Sequence, residues 1–198
     1  QMNPHFLYNT LSVISASADQ QEKVERMCSR LSDMLRYSTV YEEESNSTLE
    51  DEVRHTENYL ELMKDRYEEN LIYDIEEAGN LDRVKVPRVI LQPIVENCFK
   101  HGFGENGFPW MIHVAVTASD GHWKIHVRNN GRPFQERDLK ELNEKVEGFL
   151  KGEQKKISGI GLTNTIIRLR LLYEERVEYE IYTGSDGYTC VVLKGNYK

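Results

Sequence analysis

One stretch in the middle of the chain, PIVENCFKHG, carries polar residues suited to bind a metal-bound polyphosphate. On a helix, Asn97, Lys100 and His101 share one face, and the apolar residues between them face the core. An amide oxygen is a hard donor that Mg²⁺ accepts, and a lysine ammonium brings charge to phosphate oxygens. A solvated polar helix face is the simpler interpretation of this segment taken alone.

Two later segments place glycines beside polar side chains. In VRNNGRPF, Asn129 ends a strand just before Gly131, where it could form a turn or hydrogen-bond the edge of a purine. In SGIGLTN, Gly159 and Gly161 open a helix whose first backbone amides form an anion site. The charged segment KGEQKKISG before this helix is predicted to be a lid. No βαβ unit surrounds the glycines and no GK[ST] follows, so the segment predicts neither a Rossmann nor a Walker site.

The first residues, QMNPHFLYNTL, place a histidine directly after a proline. Asn9 follows His5 by four residues and therefore shares its helical face. Asn3 can cap this helix with Pro4 as the first helical residue, or Pro4 can kink a longer helix just before His5. In either case His5 lies beside a discontinuity.

Residues 1–70 are predicted to be helical, because apolar residues recur at helical spacing through three amphipathic segments. Ser47 and Glu50 are predicted to form a capping box for the third helix. We expect this region to bury its apolar stripes against a second copy, as a two-fold four-helix bundle. The boundary to a second domain, residues 71–198, should fall near Asn70.

Residues 71–198 are predicted to follow the order strand, helix, paired strands, helix, helix, paired strands. The segment VPRVILQPIVENCFKHG is assigned to one helix that begins near Pro87. DG and SDG turns separate the strands of the two hairpins. The order predicts an α+β fold, a two-layer α/β sandwich with helices on one face of a mixed sheet.

Composition excludes several classes of function. The chain of 198 residues carries a net charge of −8, and its pI is about 5.3, so no nucleic acid or anionic membrane surface is expected as a direct partner. The three cysteines lie far apart without CxxC spacing, which predicts buried free thiols rather than zinc ligands or disulfides. No apolar run is long enough to cross a bilayer.

QPIVENCFKHG, VRNNGRPF and GIGLTNTIIRLRLLY, in this order, resemble the N, G1 and G2 boxes of the Bergerat-type ATPase fold. Histidine kinases, gyrase-type topoisomerases, one class of heat-shock chaperones and MutL-like repair proteins share that fold. With QMNPHFLYNTL in front, the chain resembles the cytoplasmic kinase core of LytS/YesM-type sensor histidine kinases. The resemblance extends over LSDMLRYS and TLEDEVRHTENYLELMKDR and covers nearly the whole chain.

The resemblance implies that His5 is a phosphoacceptor, which ATP phosphorylates and which passes the phosphoryl group to an aspartate of a response regulator. Asn9 then matches an amide that positions water for dephosphorylation in related families. Other histidine kinases carry an acidic residue directly after the histidine, but Phe6 occupies that place here, so the base stays unassigned. The resemblance also implies a homodimer that works as the cytoplasmic domain of a bacterial plasma-membrane protein, attached through upstream segments.

The resemblance further implies a site for ATP and Mg²⁺ in the second domain. Asn97 matches the Mg²⁺ ligand, Lys100 and His101 match positions on the phosphate side, and Glu96 belongs to the same motif. Other residues that match nucleotide-binding positions are Asn129, Gly131, Gly159, Gly161, Leu162, Asn164 and Thr189, of which Thr189 corresponds to a purine contact.

Two positions depart from the family pattern. Asn129 stands where many relatives carry an aspartate that accepts a hydrogen bond from the adenine amino group, and Pro133 stands where the pattern often has a second glycine. An amide oxygen can still accept that bond without charge assistance, so weaker nucleotide binding is expected. The departures leave two alternatives open: a degenerate kinase that acts as a phosphatase or scaffold, and another Bergerat-fold ATPase such as an anti-sigma serine kinase.

Overall fold

Three helices precede a mixed sheet in the computed structural model, which describes residues 4–39, 46–103, 107–152 and 161–197. The helices are α1 (Pro4–Ala16), α2 (Gln21–Thr39), α3 (Leu49–Tyr67), α4 (Gln92–Asn97), α5 (Glu136–Leu150) and α6 (Leu162–Tyr173). The strands are β1 (Asn46–Thr48), β2 (Leu71–Gly79), β3 (Lys85–Pro87), β4 (Trp110–Ser119), β5 (His122–Asn129), β6 (Val177–Thr183) and β7 (Thr189–Asn196). A π-helical turn, Cys98–Gly102, extends α4.

The main sheet has five strands in the order β2-β4-β5-β7-β6. The pair β2–β4 is parallel, and the other neighbours are antiparallel. Along β4 and β5 the side chains alternate, so Val114, Ile125 and Val127 are buried while His113 and Lys124 face the other side. The helices cover the buried face. This architecture confirms the predicted α+β fold with helices on one face of a mixed sheet.

The cap of the third helix lies one residue later than the sequence predicts. The short strand β1 pairs with β3 and keeps the chain extended as far as Thr48. The Thr48 hydroxyl therefore becomes the N-cap and accepts a hydrogen bond from the backbone amide of Asp51 at 3.1 Å. The capping box predicted for Ser47 and Glu50 is wrong because the extended β1 displaces the start of the helix.

The helix predicted from Pro87 is also shorter than expected. Pro87 ends β3, and Val89 has a φ of 55°, so the backbone cannot continue as a helix there. The helix α4 begins at Gln92, with Pro93 in its first turn. The segment between the strand and the helix is fixed by a carboxylate from elsewhere in the chain.

That carboxylate belongs to Glu52 on α3, which is fully buried. One of its oxygens accepts hydrogen bonds from the Val89 amide at 2.6 Å and from the Tyr37 hydroxyl at 2.5 Å. The other accepts from the amides of Ile90 at 2.7 Å and Leu91 at 3.0 Å. Four donors, one from α2 and three from the segment just before α4, therefore meet on one side chain.

Burial disfavours the charged form of the Glu52 carboxyl group, and the hydrogen bonds that it accepts partly offset this cost. Burial raises its pKa above the usual value, while the hydrogen bonds from Tyr37 and the three backbone amides lower it. Burial lowers the pKa of the Arg168 guanidinium on α6, and the nearby charge of Glu52 opposes that decrease. The cluster thus joins α2, α3, α4 and α6.

The cysteine prediction holds for two of three residues. Cys98 and Cys190 are buried free thiols, whereas Cys28 is exposed on α2, so its predicted burial is wrong for this single chain. Cys28 follows Met27, which faces the core, and successive helical residues point about 100° apart. Among the described residues, none of the helices has the length and apolar character needed to span a membrane.

We expect Glu52→Gln to lower the free energy of unfolding by about 3 kcal/mol, because the new amide group replaces one acceptor oxygen and faces buried donors. Urea titration measures this change. Glu57→Gln is the matched control on the exposed side of α3 and should change the free energy of unfolding by less than about 0.5 kcal/mol. Equal effects of the two substitutions would contradict the role assigned to Glu52.

A second prediction concerns His55, which is buried and stacks on the Tyr37 ring with the centroids 4.4 Å apart. Burial lowers its pKa to about 4, although a hydrogen bond with Gln92 opposes the decrease. The unfolded chain binds a proton near pH 6.5, so stability is lost as the pH falls from about 6.5 towards 4.

Between pH 7.5 and pH 5.0 this group should account for a loss of about 2 kcal/mol. Urea titrations at both pH values measure the decrease in the free energy of unfolding between them. In His55→Phe, whose ring retains the stacking, that decrease should be smaller by about 2 kcal/mol than in the unmodified protein. The exposed His122→Phe serves as the control and should behave as the unmodified protein. The same pH dependence in all three proteins would show that His55 does not carry the effect.

Candidate functional site

A cavity of about 380 Å³ opens between α4, α5, the start of α6 and the sheet, where β5 ends and β7 begins. Five of the residues predicted from the sequence line it: Asn97, Asn129, Gly161, Leu162 and Thr189. Ile94, Leu142 and Val191 supply apolar walls. These residues are up to 97 positions apart in sequence (Val191 − Ile94), so only the folded sheet and helices bring them together.

The floor of the cavity is a pair of buried polar side chains. Asn129 and Thr189 occupy paired positions on β5 and β7 and are 4% and 5% exposed. The Asn129 side-chain oxygen accepts a hydrogen bond from the Gly131 amide at 2.9 Å, and the Thr189 hydroxyl donates to the Arg132 carbonyl at 3.0 Å. Polar groups among apolar walls select a ligand with an apolar face and a polar edge.

Two glycines allow the turn after β5 to approach the end of the π-helical turn. A side chain on Gly131 would overlap the backbone carbonyl of Gly102. The Arg132 amide donates a hydrogen bond to that same carbonyl. Gly131 itself does not line the cavity, and its role is this close backbone contact.

The helix α4 widens where it ends. The Phe103 amide donates to the Cys98 carbonyl at 2.9 Å, which is the i to i+5 spacing of a π turn. Asn97 lies just before this turn and lines the cavity. Lys100 instead donates to the Glu96 carboxylate at 2.7 Å, and neither side chain lines the cavity.

The start of α6 lies at the cavity, where the first backbone amides of a helix are donors without partners inside the helix. Gly161 precedes the helix without a side-chain cap, and its carbonyl accepts from the Thr165 amide at 3.0 Å. A Cβ on Gly161 would lie 3.8 Å from the Asn97 side-chain oxygen. The positive end of the α6 dipole and an amide oxygen therefore lie side by side at the cavity.

The remaining predicted residues fall into two groups. Asn164 lies on α6, partly buried, and does not line the cavity. Gly159, residues 153–158 of the predicted lid segment, and the side chain of His101 lie outside the part of the chain that the structure describes. For these residues the sequence predictions stay predictions.

Sequence reasoning missed the contribution of α5. Asp138, Glu141 and Lys145 line the cavity from this helix, together with Phe134 and Arg132 from the loop before it. A signal was present, because Asp138 and Lys145 lie four positions before and three positions after the buried Leu142 and so share its side of the helix. Glu141 lies three positions after Asp138 and so falls on the adjoining part of the same side. The sequence predicts α5 only as the first of the two helices between the paired strands.

On the first helix, the predicted pair of His5 and Asn9 is in contact. The Asn9 amide nitrogen lies 3.1 Å from Nδ1 and 3.3 Å from Nε2 of the exposed His5 ring. Phe6 is buried, and its ring lies 5.1 Å from Tyr59 on α3. Tyr59 in turn lies 5.9 Å from Phe99 in the π-helical turn, so rings connect α1 to the cavity-lining helix.

Comparison with known families agrees with this geometry. Residues 82–194 match the family described as histidine kinase-, DNA gyrase B- and HSP90-like ATPases, and residues 1–71 match the histidine kinase family. The chain belongs to the histidine kinase-, DNA gyrase B- and HSP90-like ATPase family. The resemblance to LytS/YesM-type sensor histidine kinases is confirmed by the relatives that follow.

The chain is 30% identical over 188 residues to the sensor protein LytS of Oceanobacillus iheyensis, which covers 94% of this chain. It is 27% identical over 195 residues to the sensor histidine kinase YesM of Bacillus subtilis, which covers 98% of this chain. The chain spans about a third of the length of these relatives, 32% and 31% respectively.

Among solved structures, the chain is similar to the kinase domain of a blue-light activated histidine kinase from Erythrobacter litoralis, with 13% identity and a TM-score of 0.48. That match covers 100% of this chain and 89% of the other. A second match is the catalytic domain of the histidine kinase ThkA, with 17% identity, a TM-score of 0.48 and coverage of 77% and 94%.

We expect Gly131→Ala to lower the free energy of unfolding by about 2 kcal/mol, because the added methyl group meets the Gly102 backbone and not a movable side chain. Urea titration tests this effect. Gly107→Ala is the control, since a Cβ there meets nothing within 4 Å. If both variants unfold at the same urea concentration, the contact between the two glycines does not constrain the turn.

Proposed function

We propose that the chain is the catalytic core of a two-component sensor histidine kinase, which uses ATP to phosphorylate His5. The observation that carries this proposal is the convergence of Asn97, Asn129, Thr189 and the uncapped start of α6 on one cavity. A histidine outside that cavity, exposed on α1 beside Asn9, completes the set.

The cavity residues fit a nucleotide. The apolar walls suit a base, the polar floor suits its edge, and the start of α6 suits the phosphates. Asn97 offers an amide oxygen of the kind that Mg²⁺ accepts, and it lies beside that helix start. When bound, Mg²⁺ would neutralise charge on the phosphate oxygens. The roles of Glu96, Lys100, His101 and Asn164 stay proposals from the family resemblance.

His5 would act as the nucleophile. A ring nitrogen forms a bond to the γ-phosphorus, the bond from that phosphorus to its bridging oxygen breaks, and ADP leaves while the imidazole loses its proton. The step requires a ring nitrogen whose lone pair is free to attack phosphorus. Asn9 contacts the ring but is a neutral amide, and Phe6 is packed against Tyr59, so neither takes the proton.

The partners follow from the same proposal. We propose that phosphorylated His5 donates to an aspartate of a response regulator. Tyr8 and Leu11 are 72% and 53% exposed on α1 of the single chain, which supports a homodimer through the helices of residues 1–70. We further propose that residues 71–198 are the nucleotide-binding domain, and that the chain works on the cytoplasmic side of a bacterial membrane protein.

A second activity is favoured by the contact between Asn9 and His5. An amide 3.1 Å from the ring can orient water for removal of a phosphoryl group from a regulator, so we propose a phosphatase role for Asn9. A kinase with weakened nucleotide binding would then act mainly through this activity. The match of residues 1–71 to the histidine kinase family weighs against the alternative of a serine kinase.

Labelling with Mg-ATP that carries a marked γ-phosphate tests the kinase proposal. We expect acid-labile label on the unmodified protein, none on His5→Gln, and labelling slower on the order of 10- to 100-fold in Asn97→Ala, which lacks the proposed metal ligand. Asn143→Ala, exposed on α5 outside the cavity, should label normally.

The absence of label on folded, unmodified protein would overturn the kinase proposal. Label that persists in His5→Gln would leave the kinase proposal in place and overturn the choice of acceptor. Acid-stable label on a serine of a partner protein would instead support the serine kinase alternative.

A further inference from the structure

The orientation of the Asn129 amide in the cavity floor is fixed by its neighbour. The Gly131 amide is a donor and lies 2.9 Å from the Asn129 side-chain oxygen. The reverse orientation would place the side-chain NH₂ group against that N–H, so two donors would meet in a buried site. The oxygen is therefore held at Gly131, and the nitrogen is the atom left for other contacts.

The Asn129 nitrogen carries two hydrogens. Because the oxygen accepts the hydrogen bond from Gly131, the group that Asn129 offers to a ligand in the cavity is this NH₂ donor.

Thr189 offers the cavity a hydrogen-bond acceptor, in contrast to the donor of Asn129. Its hydroxyl hydrogen is used in the bond to the Arg132 carbonyl at 3.0 Å. The hydroxyl oxygen retains acceptor capacity, and the residue lines the cavity opposite Asn129 on the neighbouring strand. The floor thus offers one donor and, beside it, one acceptor.

Purines differ in this respect. Adenine carries an amino donor at position 6, whereas guanine carries a carbonyl acceptor there. In 6-oxopurines the adjacent ring nitrogen also carries a hydrogen, so their edge reads acceptor then donor. When position 6 of the base lies at Asn129 and the adjacent ring nitrogen lies at Thr189, the 6-oxopurine edge complements this floor. In the same placement the adenine edge puts its amino group against the Asn129 NH₂.

We propose that the cavity accepts 6-oxopurine nucleoside triphosphates at least as well as ATP, and that Asn129 is the specificity-determining residue. This inference rests on the proposed nucleotide-binding function. An aspartate at this position would present one oxygen to Gly131 and the other to the base, where it would accept a hydrogen bond. Asn129 carries an NH₂ group in place of that second oxygen and therefore donates to the base.

Isothermal titration with the Mg²⁺ complexes of ATP and ITP tests the proposal, since the two bases differ only at position 6 and in the proton on the adjacent nitrogen. We expect the unmodified protein to bind ITP as tightly as ATP or more tightly. Asn129→Asp should favour ATP over ITP by about tenfold or more. Asn143→Asp adds the same charge outside the cavity and should keep the ratio of the unmodified protein.

An unmodified protein that favours ATP by tenfold or more, as Asn129→Asp is expected to do, would overturn the specificity inference and leave the proposed function standing. The specificity inference is also overturned if Asn129→Asp binds ATP while the unmodified protein binds neither triphosphate. If neither protein binds either triphosphate, although both unfold cooperatively in urea, the proposed nucleotide-binding function itself fails.

Discussion

The buried carboxylate of Glu52 is the interaction on which the arrangement of the helices depends. It accepts hydrogen bonds from three successive backbone amides, 89–91, at a place where Val89 has left the helical region and no regular partner exists. The segment that leads into α4, and with it the position of Asn97, is therefore set by a side chain that lies 37 residues before Val89 in the sequence.

The same carboxylate also receives the Tyr37 hydroxyl from α2. The helical region that carries His5 and the helix that lines the cavity are thus connected through one buried polar group. Such a group is unfavourable unless every donor stays in place. The aromatic contacts through Tyr59 form a second connection between the same regions, made of apolar surface.

Much of the sheet and part of the site could be predicted from the sequence. Alternating side chains and DG turns marked the hairpins, and helical spacing placed Asn9 against His5. Residues that belong to short motifs, such as Asn97, Asn129 and Gly161, were found because local sequence encodes them and the family resemblance assigned their roles.

What escaped prediction depends on contacts between distant segments. Glu52 looks like any acidic residue near the start of a helix, and only the fold shows the amides that it meets. The shortened α4 follows from pairing of β1 with β3, and the widened turn after Asn97 has no signature in composition. The orientation of Asn129 required the position of the Gly131 amide.

The buried ring of Phe6 has a consequence for the residue beside it. Successive residues of an α-helix point about 100° apart, so the contact of Phe6 with Tyr59 determines the rotation of α1 about its own axis. The direction in which His5 faces is thereby set by an apolar contact one residue away. Any rotation of α1 about its axis relative to α3 must separate these two rings. The direction of the His5 side chain around the helix and the burial of Phe6 therefore change together.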